Sequence, residues 1–268
     1  MNTTRKLIGA IKSPLDERDW VFENLKKSKN GQILLSSIKI PIAVDHRKKL
    51  KPVKDQGILS TCAAETAVCC KEWQEFNSSN GASFSSMFIY NMRENYPEDG
   101  MYGRDVMKIL SIYGCCRINY FSDSTSKMGN KSDIPIKALD DAKNFKISSY
   151  AQINTLDGLK KALYKFGPCF ITFPLYNYNT NFWIPSKNND KNISGNSTAF
   201  GGHAVTIVGY DDNEKHFIIR NSWGSLWGLG GYCYFPYDQF GKQWEIWSMV
   251  DGVSKHSDPK QGGVCVLL

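Results

Sequence analysis

Three short stretches of the sequence contain residue types that can perform nucleophilic catalysis. Cys62 opens a predicted helix, whose unpaired first-turn N–H groups favour a thiolate, and the side-chain amide of Gln56 can fold back over that turn. His203 begins an apolar strand after two glycines, and Asn221 ends another strand close to Trp223. An asparagine there can hydrogen-bond an imidazole N–H, and the indole can shield that bond from water. Taken singly, such residues are more often a core cysteine, a core histidine and a turn-capping asparagine.

The elements that must position these residues change in character along the chain. Apolar residues at helical spacing dominate the first part, whereas β-branched or aromatic runs bounded by glycine, asparagine and aspartate dominate the second. The sequence therefore predicts an α+β fold with two lobes. The predicted helices cover 62–76, 84–96, 103–113 and 156–166, and the predicted strands cover 169–173, 203–210, 216–220 and 231–235.

Together, the three stretches resemble the papain family of cysteine peptidases over about residues 41–250. A Gln-x5-Cys element ends at Cys62, a Gly-His-Ala-Val element contains His203, and an Asn-Ser-Trp-Gly element begins at Asn221. His203 falls within the spacing of about 130–150 residues that the family shows after its cysteine, and Asn221 lies slightly beyond it. Supporting matches lie at 41–47, 84–90, 159–168 and 244–247.

The resemblance implies a papain-like peptidase domain over residues 41–255. Its active-site cleft would separate a helical left lobe, at about 56–166, from a β-barrel-like right lobe, at about 167–255 plus 41–55. The implied chemistry needs no cofactor and no metal ion, and its partner is a protein or peptide substrate.

The mechanism that the resemblance implies is covalent acyl transfer, which makes the protein a hydrolase. His203 would hold the Cys62 thiolate as an ion pair and then protonate the leaving amine, while Asn221 would orient the imidazole. The Gln56 side chain and the backbone N–H of Cys62 would form the oxyanion hole. The residues implied for substrate binding are Gly202, Trp223, Gly100 and Gly103.

The sequence departs from the family pattern next to the nucleophile. Leu59 stands where the family commonly has a cysteine of a disulfide, and Ala63 replaces a tryptophan. These features resemble a divergent cathepsin-like branch known from bacteria and large DNA viruses. Two alternatives stay open: a transferase that passes the acyl group to an amine, and a papain-fold binding or structural protein with a plugged or inactive cleft.

Both ends of the chain carry a hypothesis of their own. Residues 1–40 form a short polar extension whose only dense patch is 13–20, and we expect them to cover the cleft as an inhibitory prosegment. The alternative is a disordered or surface-docked arm. The tail at 256–268 ends in Cys265-Val-Leu-Leu, a prenylation pattern that makes Cys265 a lipidation candidate and a prenyl tether one prediction. The alternative prediction is that the tail is a frayed apolar end without a lipid.

Composition and charge argue against several other classes of protein. The chain has 268 residues, of which 41% are hydrophobic and 22% charged, and its net charge of +7 is scattered, so no nucleic-acid partner is expected. We find no apolar run long enough for a transmembrane segment and no signal peptide. Eight cysteines without metal-site spacing indicate reduced thiols. We therefore expect a monomer in the cytoplasm or another reducing compartment, or in a virion if the chain is viral.

Overall fold

The structure is a computed structural model, and the residues that it describes are 9–27, 39–76, 81–185 and 199–251. The tail at 256–268, with Cys265, lies outside them, so its lipidation stays a prediction. Among the helices of the described residues, none has the length and apolar character needed to cross a membrane. The seven cysteines in the same residues are free thiols.

The helices begin and end where local chemistry favours it. Helix α1 contains no glycine or proline and is buried along most of its length. Helix α5 begins after Thr155, whose hydroxyl accepts a hydrogen bond from Gly158 N at 3.0 Å, and ends at Gly167, whose φ of 90° favours glycine. In the described part of the chain the α-helices are α1 (Cys62–Gln74), α2 (Ser86–Asn91), α3 (Gly103–Ile112), α4 (Ile136–Ala142) and α5 (Leu156–Phe166).

The helix predicted over 84–96 is shorter in the structure, because α2 ends at Asn91. The guanidinium of Arg93 donates to the carbonyl of Tyr90 at 2.9 Å and to that of Glu98 at 3.1 Å. The Arg93 side chain thus gives a hydrogen-bond partner to a carbonyl at the end of α2 and stabilises the turn that follows.

A single sheet carries the strands of the described residues. Strand β6 lies at its centre and pairs antiparallel with β1, β2, β5 and β7. On one side β5 pairs with β9 and β9 with β4, and on the other β7 pairs with β8. The strands are β1 (Ala10–Ile11), β2 (Ala43–Asp45), β3 (Met101–Tyr102), β4 (Ile147–Gln152), β5 (Cys169–Leu175), β6 (Gly201–Asp211), β7 (His216–Arg220), β8 (Tyr232–Pro236) and β9 (Glu245–Asp251).

Two hydrophobic cores lie on either side of the cleft. The first joins α1, α2 and α3 and includes Val68, Phe88 and Leu110. The second joins the strands and includes Ile171 and Phe217. Helix α5 falls in the range predicted for the helical lobe, yet its apolar side chains pack in the second core, because its amphipathic face meets the sheet.

Candidate active site

The nucleophile candidate stands at the first residue of α1. The Cys62 side chain is fully buried, and its sulfur accepts a hydrogen bond from the backbone N–H of Ala204 at 3.5 Å. Ala204 follows His203 in β6, so the helix start places the thiol against the strand that carries the imidazole. Burial raises the pKa of the Cys62 thiol to about 11.

The imidazole of His203 is oriented from one side by Asn221. Its Nε2 lies 2.7 Å from Asn221 Oδ1, and the same oxygen accepts the Ser222 N–H at 2.8 Å. Because Oδ1 acts as an acceptor, Nε2 must carry the ring proton, which leaves a lone pair on Nδ1. Within the described part of the chain Nδ1 has no hydrogen-bond partner. The ring is therefore in the tautomer that can take a proton from a thiol.

Trp223 covers the same imidazole. The two rings stack with their centroids 4.4 Å apart and an interplanar angle of 25°, and Trp223 is almost fully buried. Phe182 meets the imidazole edge-on at 5.4 Å. This apolar packing lowers the pKa of His203 to about 4 through burial. With the cleft in this form, the thiol and the imidazole are both neutral.

Gln56 is held beside the first turn of α1 by hydrogen bonds from its side chain and its backbone. Its Oε1 accepts from Ser222 Oγ at 2.6 Å, and its Nε2 donates to the Leu59 carbonyl at 2.7 Å. Its backbone N–H donates to the Ser222 carbonyl at 2.9 Å. The turn that carries the histidine's partner therefore also fixes the glutamine amide. Sequence spacing had singled out Cys62, His203, Asn221 and Gln56, and the structure brings all four together.

The N-terminal segment runs through the cleft directly over the thiol. Gly9 lies against Ser60, two residues before Cys62, because a Cβ atom on Gly9 would stand 2.0 Å from the Ser60 carbonyl oxygen, and the Gly9 carbonyl accepts from Met101 N at 2.8 Å. Strand β1 then pairs in parallel with β3 and antiparallel with β6 at Gly202. The segment thus occupies the space in front of the nucleophile.

Two of the glycines predicted for substrate binding line this path. A Cβ atom on Gly202 would lie 2.3 Å from the Ala10 carbonyl oxygen, and one on Gly100 would lie 3.1 Å from the Gly9 oxygen. Both positions need glycine because another backbone approaches so closely. Gly103 differs, since its Cβ would meet Oε1 of Glu245 at 2.7 Å.

Polar contacts further along the segment were missed from the sequence. Arg104, in the first turn of α3, binds Asp19 through Nε and Nη2, the latter at 2.6 Å. Ser13 accepts the Arg104 N–H at 3.1 Å and donates its own N–H to Glu245 at 3.4 Å. The dense patch at 13–20 was the one available signal, but it did not identify these partners.

Beyond the cleft the segment becomes part of the second core. The Trp20 carbonyl accepts from Gln152 N at 2.7 Å, and Phe22 is buried in that core. Glu23 Oε1 accepts from the Thr155 N–H at 2.9 Å and from its hydroxyl at 2.8 Å. Residues 20–23 therefore anchor the segment beside the start of α5.

The fold and the site together define a cysteine peptidase of the papain type. The chain matches the model of the papain family cysteine proteases over residues 40–250 and belongs to that family. It is 29% identical to an uncharacterized peptidase C1-like protein of Acanthamoeba polyphaga mimivirus, over 96% of this chain and 92% of that protein. The predicted α+β papain-like fold and hydrolase class are confirmed.

Solved structures give the same fold. Xylellain, a cysteine protease from Xylella fastidiosa, is 26% identical with a TM-score of 0.70, and the match covers 91% of this chain and 95% of xylellain. The digestive procathepsin L 3 of Tenebrio molitor is 19% identical with a TM-score of 0.62, covering 80% of this chain and 71% of the other. At that identity the second match shows the fold alone.

Proposed function

We propose that the protein hydrolyses peptide bonds through Cys62, with His203 as the proton carrier and Asn221 as the residue that orients it. The observation that carries this proposal is the hydrogen bond from His203 Nε2 to Asn221. It leaves Nδ1 as the acceptor on the ring, and the next residue, Ala204, donates its N–H to the sulfur of Cys62.

The reaction follows from these positions. Nδ1 of His203 takes the thiol proton, and the Cys62 sulfur attacks the substrate carbonyl carbon. The resulting oxyanion receives hydrogen bonds from the Cys62 N–H and from Gln56 Nε2, which carries a second N–H besides the one donated to Leu59. His203 then protonates the leaving amine as the C–N bond breaks. Water adds to the thioester, and a second proton transfer through His203 restores the thiol.

The N-terminal segment is an inhibitory prosegment in this proposal. Strand β1 pairs with β3 and, at Gly202, with β6, so the segment occupies the place that a substrate backbone would take. The neutral thiol and imidazole under this cover fit a resting form.

The test is intact mass after incubation with an epoxysuccinyl thiol-protease inhibitor. A full chain in which Gly9→Val displaces the segment should gain one adduct on Cys62 and hydrolyse a denatured protein substrate. Adding Cys62→Ala should remove both. Absence of an adduct from the displaced chain would favour the plugged binding protein, and transfer to an added amine would favour the transferase.

A further inference from the structure

Lys54 reaches across the cleft base into the helical lobe. Its ammonium lies 3.0 Å from Asp123 Oδ2, 3.8 Å from Glu65 Oε2 and 3.2 Å from the Phe84 carbonyl. The two carboxylates hold one cation between them. Burial opposes the charge, yet the surrounding carboxylates raise the pKa of Lys54 above its ordinary value, so the ammonium stays protonated.

The backbone at Lys54 belongs to a different structural unit from its ammonium. Its carbonyl accepts the Gly224 N–H at 3.0 Å, and Asp55 forms a β-bridge with Trp223. Two residues on, Gln56 completes the ladder with its bond to Ser222. This three-step ladder joins the oxyanion donor to the turn that stacks on His203.

Each carboxylate around the ammonium is fixed by its own element. Glu65 lies one turn after Cys62 on α1, and its Oε1 accepts from Ser86 Oγ at 2.5 Å. Asp123 Oδ1 accepts from Ser85 Oγ and from the Met87 N–H, both at 3.1 Å. The ammonium is thus clamped to the nucleophile helix and to the start of α2.

A small cavity of about 20 Å³ adjoins the clamp, so the charges around it are poorly solvated. Lys54, Glu65, Glu72 and Arg220 line it, and so does Asn221, the partner of His203. Without the ammonium, Glu65 and Asp123 would lose the cation between them, and Glu72 would keep only Arg220 and Lys51 among the cations that act on it. Buried carboxylates in that position repel, so the ladder would lose its register against α1.

We propose that Lys54 is a positioning residue for the active site: its ammonium, held by Glu65 and Asp123, sets the ladder that aims Gln56 at the oxyanion and seats Trp223 over His203. The proposal rests on the proposed function, because it assigns a role to that site's geometry. Lys54 itself contacts neither nucleophile nor substrate path, so it acts through Gln56 and Trp223.

The first test needs no catalysis, and its variants are made in the full-length chain that keeps Gly9. Hydrogen–deuterium exchange should be faster by tenfold or more at the Gln56 and Gly224 amides in the Lys54→Met protein, with α5 unchanged. Lys54→Arg keeps the charge and should restore the protection. Lys143→Met is the matched control, because the exposed Lys143 ammonium pairs with the exposed Asp140. Equal exchange in all four proteins would overturn the proposal.

The second test separates positioning from general damage in the Gly9→Val chain. Lys54→Met should weaken the binding of a peptide aldehyde by about tenfold, because the hemithioacetal that the aldehyde forms uses the oxyanion donors. The same substitution should lower kcat and leave KM nearly unchanged. The rate of Cys62 with a small disulfide should stay within twofold, since that reaction bypasses the donors. Where Lys54→Met fails to fold, Asp123→Asn replaces it. Parallel losses with both reagents would contradict positioning, whereas a chain without any thiol reactivity would contradict the proposed function itself.

Discussion

Gly9 lies so close to Ser60 that a Cβ atom at residue 9 would stand 2.0 Å from the Ser60 carbonyl oxygen. Any side chain there must push the segment away from the thiol. We predict that Gly9→Val raises the rate of Cys62 alkylation in the full chain by at least tenfold. Leu15→Ala, on an exposed residue of the same segment, should leave the rate unchanged. Equal rates for wild type and Gly9→Val would show that the segment does not restrict the thiol.

The pair between Arg104 and Asp19 predicts a second way to loosen the segment. Both side chains are only 10% exposed, so Asp19→Asn leaves a poorly solvated guanidinium and should raise the alkylation rate several-fold. Glu17→Gln is the matched control, because Glu17 is an exposed carboxylate of the same segment. A similar alkylation rate in both variants would show that the Arg104–Asp19 ion pair does not hold the segment in place.

Replacing the partner of the imidazole should impair the chemical step. In a chain opened by Gly9→Val, Asn221→Ala removes the acceptor that selects the Nε2-protonated ring, and we expect kcat/KM to fall roughly 10- to 100-fold. The measurement is steady-state hydrolysis of a fluorogenic peptide. Asn144→Ala, at an exposed asparagine that bonds the Asp141 carbonyl, should keep full activity. Retained activity in Asn221→Ala would remove Asn221 from the mechanism.

Glu65 makes stability depend on pH. Burial raises the pKa of this carboxyl to about 7, from an ordinary value of 4.5. Between these values the folded chain holds a proton that the unfolded chain has released, so stability falls as pH rises from about 4.5 to 7. Glu65→Gln removes this dependence. Urea unfolding at pH 5 and pH 8 should show wild type losing about 2 kcal/mol more than the variant, and equal losses would place Glu65 in an ordinary environment.

The nucleophile and its partners were readable from the sequence because each stands beside a glycine, a strand end or a helix start. The order of helices followed by strands was readable for the same reason. Strands β1 and β3 were not, since two residues have no periodicity. The pairing of Ser13 with Glu245, which are 232 positions apart, follows only from the path of the chain through the cleft.

The N-terminal segment has two separable parts: one blocks the cleft, and the other stabilises the neighbouring lobe. Gly9 to Ile11 close the cleft, whereas Phe22 and Glu23 complete the neighbouring lobe and cap a helix there. A cut at the exposed Leu15 would therefore free the part that blocks the cleft and leave Phe22 and Glu23 in place. A cut beyond residue 27 would also withdraw an aromatic ring from the core and a carboxylate from unpaired amide groups. For the proposed prosegment, a cut between residues 12 and 20 therefore costs the folded chain fewer contacts than a cut beyond residue 27.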